Sequence, residues 1–147
     1  MKVVIQRSKK SSVSIANKVV GKINNGLVVL VCFTQKDTID DIYYIVKKIV
    51  NLRIFDDENG VMNKSILDNG GSILSISQFT LYADTKKGNR PSYINALNGN
   101  EAIKLYDIFN KELSKFMHVE TGIFGAKMFV KIENDGPITI IIDSKNK

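Results

Sequence analysis

The sequence predicts an α+β fold, in which many short, mostly antiparallel strands accompany two main helices. Three observations lead to this prediction. Short apolar or alternating runs, bounded by turn residues, recur along the chain as they do in sheet proteins. Two longer segments instead repeat their apolar residues at helical spacing. Strands and helices do not alternate regularly, and no glycine-rich nucleotide loop is present, so neither a Rossmann nor a P-loop fold is expected.

The strand predictions rest on period-two patterns and on short apolar runs. The clearest case is LVVLVCF at residues 27–33, which indicates a buried central strand. Turn sequences rich in Asn, Asp and Gly separate several strands, at residues 24–26, 56–60, 69–71 and 134–137. The other strands are predicted at residues 3–5, 11–15, 18–23, 52–55, 72–82, 119–121, 126–133 and 138–142.

Two helices are predicted from the spacing of apolar residues. The first covers residues 37–51, with Asp37 as its N-cap and acidic residues in its first turn. The second covers residues 101–117 and carries one apolar stripe, which suits core packing. The polar segment 83–99 has no clear period and is predicted to be a loop.

The composition is that of an ordinary globular protein, and its 147 residues fit one domain, residues 1–147. No apolar run approaches the roughly 20 residues that a membrane span needs, so no membrane association is expected. The charged N-terminus does not resemble a secretory signal, and a cytoplasmic location is expected. One cysteine and one histidine cannot form a structural zinc site, and neither a metal nor another cofactor is predicted.

The net charge of +6 favours an anionic partner such as nucleic acid, although the lysines are scattered. The most notable basic cluster consists of Lys86, Lys87 and Arg90, in a loop that contains glycine. It either contacts phosphate groups or is a solvated loop in which Arg90 is structural beside Pro91. The sequence leaves both interpretations open.

Neither Cys32 nor His118 has an obvious catalytic partner. Cys32 lies within the apolar run and is predicted to be a buried, small apolar residue. His118 lies at the end of the second helix, where a cation interacts favourably with the helix dipole. Because no Ser-His-Asp or Cys-His set is visible, catalysis would depend on backbone donors, hydroxyl groups or the substrate itself.

The segment SISQFTLY at residues 75–82 has two interpretations. It is either a half-exposed strand, in which β-branched Thr80 is favoured, or a strand end that presents polar groups to a pocket. Hydroxyl, amide and backbone N–H groups there could stabilise an acyl oxygen as negative charge develops on it. Composition alone favours the plain strand.

The segment NDGPIT at residues 134–139 also has a simple interpretation, because Asn-Asp-Gly-Pro is a strong turn sequence. However, Gly136 lacks a Cβ and Pro137 lacks an N–H, so the turn would be rigid and would carry exposed carbonyl groups. Such a turn could test the handedness of a ligand. Only about 5–6% of X-Pro bonds are cis in folded proteins, so a cis bond does not follow from the sequence alone.

At these residues the chain resembles the D-aminoacyl-tRNA deacylase family, of the D-tyrosyl-tRNA deacylase type. SQFTL and NDGPIT match its two signature motifs, and the resemblance covers nearly the whole chain. Six matches in the same order make it specific. The four further segments are VIQR at residues 4–7, NLRIF at 51–55, KGNRPS at 87–92 and ETGIFGAKM at 120–128.

The resemblance implies a compact fold with a β-barrel-like core and a homodimer whose active sites form at the subunit interface. The activity would be hydrolysis of the ester between a D-amino acid and tRNA, as chiral proofreading in translation. Gly136-Pro137 would be cis and enter the partner's pocket, where its carbonyl groups exclude an L side chain. Arg7 would help to hold this motif. Glycyl-tRNA has no side chain to exclude and would also be cleaved.

The resemblance further implies the two walls of the pocket. The catalytic wall would consist of Ser77, Gln78, Phe79 and Thr80. Backbone N–H groups near Phe79 and Thr80 would stabilise the oxyanion, and a ribose hydroxyl would help to activate water. Thr80 as a covalent nucleophile is a rival role, but no base is visible beside it. The wall that accommodates the terminal adenosine would consist of Phe124, Ala126 and Met128.

Two other functional classes remain open. A non-catalytic RNA-binding module is compatible with the basic charge and with the absence of a catalytic triad. A purely structural dimer would bind no tRNA. Turnover separates the enzyme from both, because only an enzyme releases free amino acid repeatedly.

Overall fold

The structure is a computed structural model that describes residues 1–146, and it confirms the α+β class. A short 3₁₀ turn, Phe79–Tyr82, follows the seventh strand. The strands are β1 (Lys2–Ser8), β2 (Ser11–Ile15), β3 (Lys18–Ile23), β4 (Gly26–Cys32), β5 (Phe55–Asp56), β6 (Met62–Lys64), β7 (Ser72–Ser77), β8 (Val119–Thr121), β9 (Phe129–Lys131) and β10 (Asn134–Asp143). The helices are α1 (Ile39–Asn51), α2 (Ile66–Asn69) and α3 (Gly99–Leu113).

The main sheet has five strands in the order β10-β1-β4-β7-β8. β1 pairs antiparallel with both β10 and β4, whereas β4–β7 and β7–β8 are parallel pairs. The sheet is therefore mixed, and not as uniformly antiparallel as the sequence suggested. The parallel β4–β7 pair needs a long crossover, which α1, the β5–β6 hairpin and α2 supply.

A second sheet, in the order β3-β2-β9, packs on one face of the main sheet. Buried apolar side chains fill the space between the two layers: Val13, Ile23, Val28, Leu74 and Ile76. At one edge Gly21 lies close to β8, where an added Cβ would be only 2.7 Å from the Thr121 carbonyl oxygen. The layers enclose a barrel-like core, but the strand pairing of residues 1–146 does not close a barrel.

The two longer helices cover the other face of the main sheet and bury its largest apolar cluster. The N-cap of α1 is Thr38 and not Asp37, one residue later than predicted, and the Asp41 carboxylate accepts from the Thr38 N–H at 2.8 Å. α3 begins after Asn98 and ends at Leu113, four positions earlier than predicted. Across residues 1–146, we find no helix with the length and apolarity needed to cross a bilayer.

The strand predicted at residues 52–55 was wrong, since only Phe55 lies in a strand, and two further wrong predictions fall in the signature motifs. The strand predicted at residues 72–82 ends at Ser77, and the chain then forms the 3₁₀ turn. The turn predicted at residues 134–137 lies within β10 instead, and the pairing register of β1 shifts opposite it, between Gln6 and Ser8. Both segments thus depart from plain strand or turn geometry at the positions where chemistry was predicted.

Candidate active site

A cavity of about 540 Å³ lies beside the carboxyl end of β7, within the size range of small-molecule sites. Two segments that are distant in sequence form its opposite walls, one after β7 and one before β9. The predicted residues that line it are Ser77, Gln78, Phe79, Phe124, Ala126 and Met128. The structure therefore brings these six residues to one cavity, whereas Thr80, the last residue of the predicted catalytic wall, does not line it.

Two contacts hold the 3₁₀ turn after β7 against β4, and a third lies within the turn segment. The Gln78 N–H donates to the Val31 carbonyl at 2.8 Å, which ends the β4–β7 ladder. The Gln78 side-chain Nε2 donates to Thr80 Oγ1 at 2.6 Å. The Cys32 thiol donates to the Phe79 carbonyl at 3.4 Å. These contacts fix the backbone of Phe79, which lines the cavity, and of Thr80, which follows it.

The start of this turn leaves two backbone donors free. The first N–H groups of a helical turn have no partner within it. Across residues 1–146, the N–H groups of Phe79 and Thr80 donate to no other protein group. Two adjacent free N–H groups are the arrangement that stabilises an oxyanion. The Thr80 hydroxyl accepts from an amide, and no carboxylate or imidazole among the described residues bonds to it.

The wall that is predicted to accommodate adenosine depends on a glycine and on an anchored tyrosine. A Cβ on Gly122 would be 2.3 Å from the Met128 sulfur, so only glycine lets Met128 pack there. The Phe124 ring lies 5.8 Å from the ring of Tyr106. The buried Tyr106 hydroxyl donates to the Ser75 carbonyl at 2.8 Å, which ties α3 to β7 below the cavity.

The sequence missed a third wall, which the loop before α3 supplies. The Tyr93 ring packs edge-on against Phe79, with 4.9 Å between ring centroids. The Leu97 N–H donates to the Phe33 carbonyl at 2.9 Å, which places the loop over the end of β4. Asn98, the N-cap of α3, also lines the cavity. The loop has no apolar period, so only the aromatic character of Tyr93 could have indicated its role.

The NDGPIT motif is organised around the side chain of Asn134. Its Nδ2 donates to the carbonyl groups of Arg7 and Ile138, each at 3.0 Å. Its Oδ1 accepts from Gln6 Nε2 at 2.9 Å and from Thr139 Oγ1 at 3.1 Å. This amide therefore joins both ends of the motif to β1, a role that the sequence did not single out.

The Gly136-Pro137 peptide bond is cis, and both residues are exposed. Gly136 has a φ of +117°, a region that side chains rarely allow, and a Cβ there would lie 2.8 Å from the Ile138 nitrogen. The Thr139 hydroxyl is 3.3 Å from the Pro137 carbonyl oxygen. Only glycine fits this backbone without displacing the motif.

Arg7 is buried beside the motif, where it contacts three groups. Its Nη1 donates to the Ile54 carbonyl at 2.9 Å and lies 3.3 Å from Asp56 Oδ2. Its Nε lies 3.1 Å from Asp135 Oδ2, although the N–H does not point at that oxygen. The Asp135 contact is therefore an ion pair and not a well-directed hydrogen bond. Through it, Arg7 holds the residue immediately before Gly136.

Within one chain, the two signature motifs lie at opposite ends of the main sheet. Ser77 pairs with Val31 near the start of β1, where Lys2 is opposite Cys32. Asn134 instead pairs with Ser8, at the end of β1. Val3, which pairs with Val31, lies five residue steps from Ser8, or about 17 Å along the strand. The structure thus does not bring Arg7, Gly136 and Pro137 to the cavity of their own chain.

The remaining predicted residues lie outside the cavity. Lys86, Lys87 and Arg90 are exposed on a loop that is closed by backbone hydrogen bonds between Asp84 and Ser92, at 2.7 and 2.9 Å. None of the three basic side chains forms an ion pair with any residue of the described range.

Cys32 and His118 both lack the surroundings of a nucleophile or base at the cavity. Burial raises the pKa of the Cys32 thiol to about 11, which disfavours the reactive thiolate. His118 is exposed and contacts Glu120 at 2.6 Å, away from the cavity walls. Among residues 1–146, no three His, Cys, Asp or Glu side chains converge as metal ligands would.

Two solved structures resemble this chain over almost its full length. One is a c-Myc DNA unwinding element binding protein, with 38% identity, 97% of this chain and 98% of that chain covered, and a TM-score of 0.92. The other is a probable eukaryotic D-amino acid tRNA deacylase, with 17% identity, 96% and 97% coverage, and a TM-score of 0.82. The second likeness supports the fold alone.

The family comparison agrees with the signature motifs and extends to both sheets. A family model described as D-Tyr-tRNA(Tyr) deacylase matches residues 4–143. That range includes both signature motifs and all three walls of the cavity. The predicted family and the predicted enzyme class, a hydrolase, are thereby confirmed: the chain belongs to the D-Tyr-tRNA(Tyr) deacylase family.

Proposed function

We propose that this enzyme hydrolyses D-aminoacyl-tRNA to free D-amino acid and tRNA, as a chiral proofreading step of translation in the cytoplasm, with residues 1–147 acting as one domain. The observation that carries the proposal is the pair of adjacent free N–H groups at Phe79 and Thr80, of which Phe79 lines a cavity of about 540 Å³. Family membership supplies the substrate class, D-aminoacyl-tRNA.

In the proposed mechanism, the ester carbonyl lies against these two N–H groups. Water attacks the carbonyl carbon, a hydroxyl group of the terminal ribose helps to remove the proton, and the oxyanion accepts both hydrogen bonds. The tetrahedral intermediate then expels the ribose oxygen and releases the amino acid. Removing one donor of this kind typically costs about 100- to 1000-fold in rate. No covalent intermediate on Thr80 is required.

Selectivity is assigned to Gly136-Pro137 of a second copy of the chain. Its carbonyl groups would occupy the space that the side chain of an L-amino acid needs. They would leave free the space that the side chain of a D-amino acid occupies. This arrangement rejects the wrong enantiomer instead of binding the right one more tightly. It also predicts that glycyl-tRNA is cleaved, because glycine has no side chain in either direction.

The separation of the two motifs supports a homodimer. About 17 Å of strand lies between them in one chain, and in the proposed arrangement a second copy brings Gly136-Pro137 to the cavity. β10 is also the edge strand of the main sheet, and its Ile141 is 70% exposed. An apolar side chain on an unpaired edge favours coverage by another subunit.

The shared site can be tested by mixing two inactive variants. Thr80→Pro removes one oxyanion donor, because proline has no N–H. Gly136→Val places a side chain where the motif would enter the partner's cavity. In a mixed dimer one site carries both defects and the other carries neither. Random subunit exchange should therefore restore about one quarter of wild-type activity. Absence of any recovery, with mixed dimers demonstrated, would contradict a shared site.

The central experiment compares D-tyrosyl-tRNA, L-tyrosyl-tRNA and glycyl-tRNA as substrates of the purified protein. Catalytic release from the D and glycyl substrates, but not from the L substrate, is expected. Equal release of tyrosine from both enantiomers would support the hydrolase activity but reject the role of Gly136-Pro137 in selecting the D enantiomer. Release from none of the three would reject the activity.

The role of the basic loop is a separate part of the proposal. Lys86, Lys87 and Arg90 either contact tRNA phosphates or form a solvated loop. If they contact phosphates, Lys86→Gln with Lys87→Gln should weaken tRNA binding and make it less dependent on salt. An unchanged salt dependence favours the solvated loop.

A second candidate function is nucleic-acid binding without turnover. The 38% identical relative is named as a protein that binds a DNA unwinding element, and this chain is basic. Stoichiometric binding of nucleic acid without release of amino acid would favour this candidate. The free oxyanion donors favour the enzyme, because binding alone has no use for them.

A further inference from the structure

A second groove lies directly behind the adenosine wall of the cavity. The chain alternates strictly between the two sides from Phe124 to Ile132, with even-numbered residues partly buried and odd-numbered residues exposed. Ala126 and Met128 therefore face the cavity, whereas Lys127, Phe129 and Lys131 face outward. Met128 contributes to both the cavity and the groove, so one strand separates them.

The strand register arranges the floor of this groove in two rows across β3, β2 and β9. Lys22 and Lys131 lie on either side of Ser12 in one row. Val19 and Phe129 lie on either side of Ser14 in the next. The groove has a volume of about 570 Å³, and the Phe129 side chain is 66% exposed over it.

The charges of the groove are positive and uncompensated. The side chains of Lys22, Lys127 and Lys131 form no ion pair with any of the residues 1–146, and no acidic residue lines the groove. Lys127 and Lys131 line the groove with the exposed Phe129 ring, and Lys22 lies in the same row as Lys131. Unpaired ammonium groups beside an exposed aromatic ring attract a polyanion with stacking bases.

The composition also argues against a protein partner. Lysine and serine are depleted at the centres of protein interfaces, and both occur in the central rows of this groove. Proteins that bind single-stranded nucleic acid combine a basic groove with aromatic rings on which bases stack. The groove has both features, and it adjoins the cavity that would hold the terminal adenosine.

We propose that this groove, formed by the outer face of β2, β3 and β9, binds the single-stranded 3′ end of the tRNA on the 5′ side of its terminal adenosine. Lys127 and Lys131 contact phosphate groups, and Phe129 stacks against a base. This inference rests on the proposed deacylase function, because that function places the terminal adenosine on the other side of Met128.

The test compares two substrates that share the reacting ester. One is D-tyrosyl-tRNA, and the other is the D-tyrosyl ester of adenosine, which has no nucleotide that could reach the groove. Phe129→Ala should raise KM for the tRNA substrate about tenfold, leave kcat unchanged and leave the short ester unaffected. Phe129→Tyr keeps a ring and should restore the wild-type KM.

The lysines are tested by the double variant Lys127→Gln/Lys131→Gln. Its KM for the tRNA substrate should rise, and the slope of log KM against log salt should fall by about 1.4, or about 0.7 for each lost phosphate contact. Lys47→Gln/Lys111→Gln removes the same charge from exposed positions on α1 and α3 and should change neither value.

The outcomes separate this inference from the proposed function. An unchanged KM for the tRNA substrate in both groove variants would overturn the proposed tRNA-binding role of the groove. An equal rise of KM for both substrates would also overturn it, because that result would indicate damage to the cavity through Met128. If the wild type hydrolyses neither substrate, the deacylase proposal fails instead. Binding of uncharged tRNA, measured by fluorescence anisotropy, then tests the groove separately. Weaker binding by the groove variants than by the control variant supports tRNA binding in the groove, and equal binding overturns it.

Discussion

Replacing Gly136 by alanine tests the proposed chirality filter most directly. An added Cβ would lie 2.8 Å from the backbone nitrogen of Ile138, where ordinary contacts begin at 3.4 Å. The motif must therefore move by about 0.6 Å or more. A misplacement of about 1 Å in a site can cost about 100-fold. We expect the preference for D- over L-tyrosyl-tRNA to fall by roughly tenfold to 100-fold.

The variant also changes stability, and that effect must be separated from selectivity. Holding a non-glycine residue at a φ of +117° costs on the order of 1–3 kcal/mol. Gly60→Ala is a matched control, because Gly60 has a φ of +74° and an added Cβ there meets nothing within 4 Å. This control should lose stability and keep full selectivity.

The assay is single-turnover release of tyrosine from each enantiomer, alongside thermal unfolding of both variants. A Gly136→Ala enzyme that is folded and dimeric but keeps the wild-type ratio of D to L rates would refute the reasoning. A ratio that falls equally in Gly60→Ala would attribute the effect to general destabilisation. Loss of selectivity in Gly136→Ala alone is the expected result.

Three further predictions follow from individual contacts. Thr80→Ala should keep kcat within about tenfold of the wild type, a barrier change near 1.4 kcal/mol, because the Thr80 hydroxyl is assigned no covalent role. A fall in kcat of many orders of magnitude would instead favour Thr80 as a covalent nucleophile. Asn134→Asp replaces the Nδ2 donor with an oxygen that lies beside the carbonyl groups of Arg7 and Ile138. The free energy of unfolding in urea titrations should therefore fall by about 2–3 kcal/mol. An unchanged urea midpoint would contradict the described hydrogen-bond network of Asn134. Burial raises the pKa of Cys32 from 9.0 to about 11, so the folded thiol keeps a proton that the unfolded thiol loses. Stability should therefore fall as pH rises from about 9 to 11, and Cys32→Ala should remove that part of the slope.

The sequence predicted those parts of the fold that depend on local periodicity. The two helices and most strands follow from apolar spacing, and LVVLVCF does form the buried centre of the main sheet. The parallel pairing of β4 with β7 could not be read from either strand, because a buried strand is apolar in both kinds of sheet. Pairing partners depend on the long-range fold and not on the pattern within one segment.

The candidate site was predictable only where a motif could be recognised. SQFTL and NDGPIT identified Ser77, Gln78 and the Gly136-Pro137 step, but periodicity alone indicated a plain strand and a plain turn. Tyr93 and Asn134 escaped notice, since Tyr93 lies in an aperiodic loop and Asn134 has the character of an ordinary turn residue. Their roles arise from contacts with residues far away in the chain.

The pairing of β1 with β10 has a consequence for how the protein is made. β1 is complete once residue 8 has been synthesised, but its partner on one side spans Asn134–Asp143. The nascent chain therefore carries an unpaired, apolar edge on β1 until the residues of β10 have been synthesised. Such an edge is a template for association with other chains. A ribosome that stalls before residue 134 would release a product that lacks both the Gly136-Pro137 motif and the strand that covers this edge of β1.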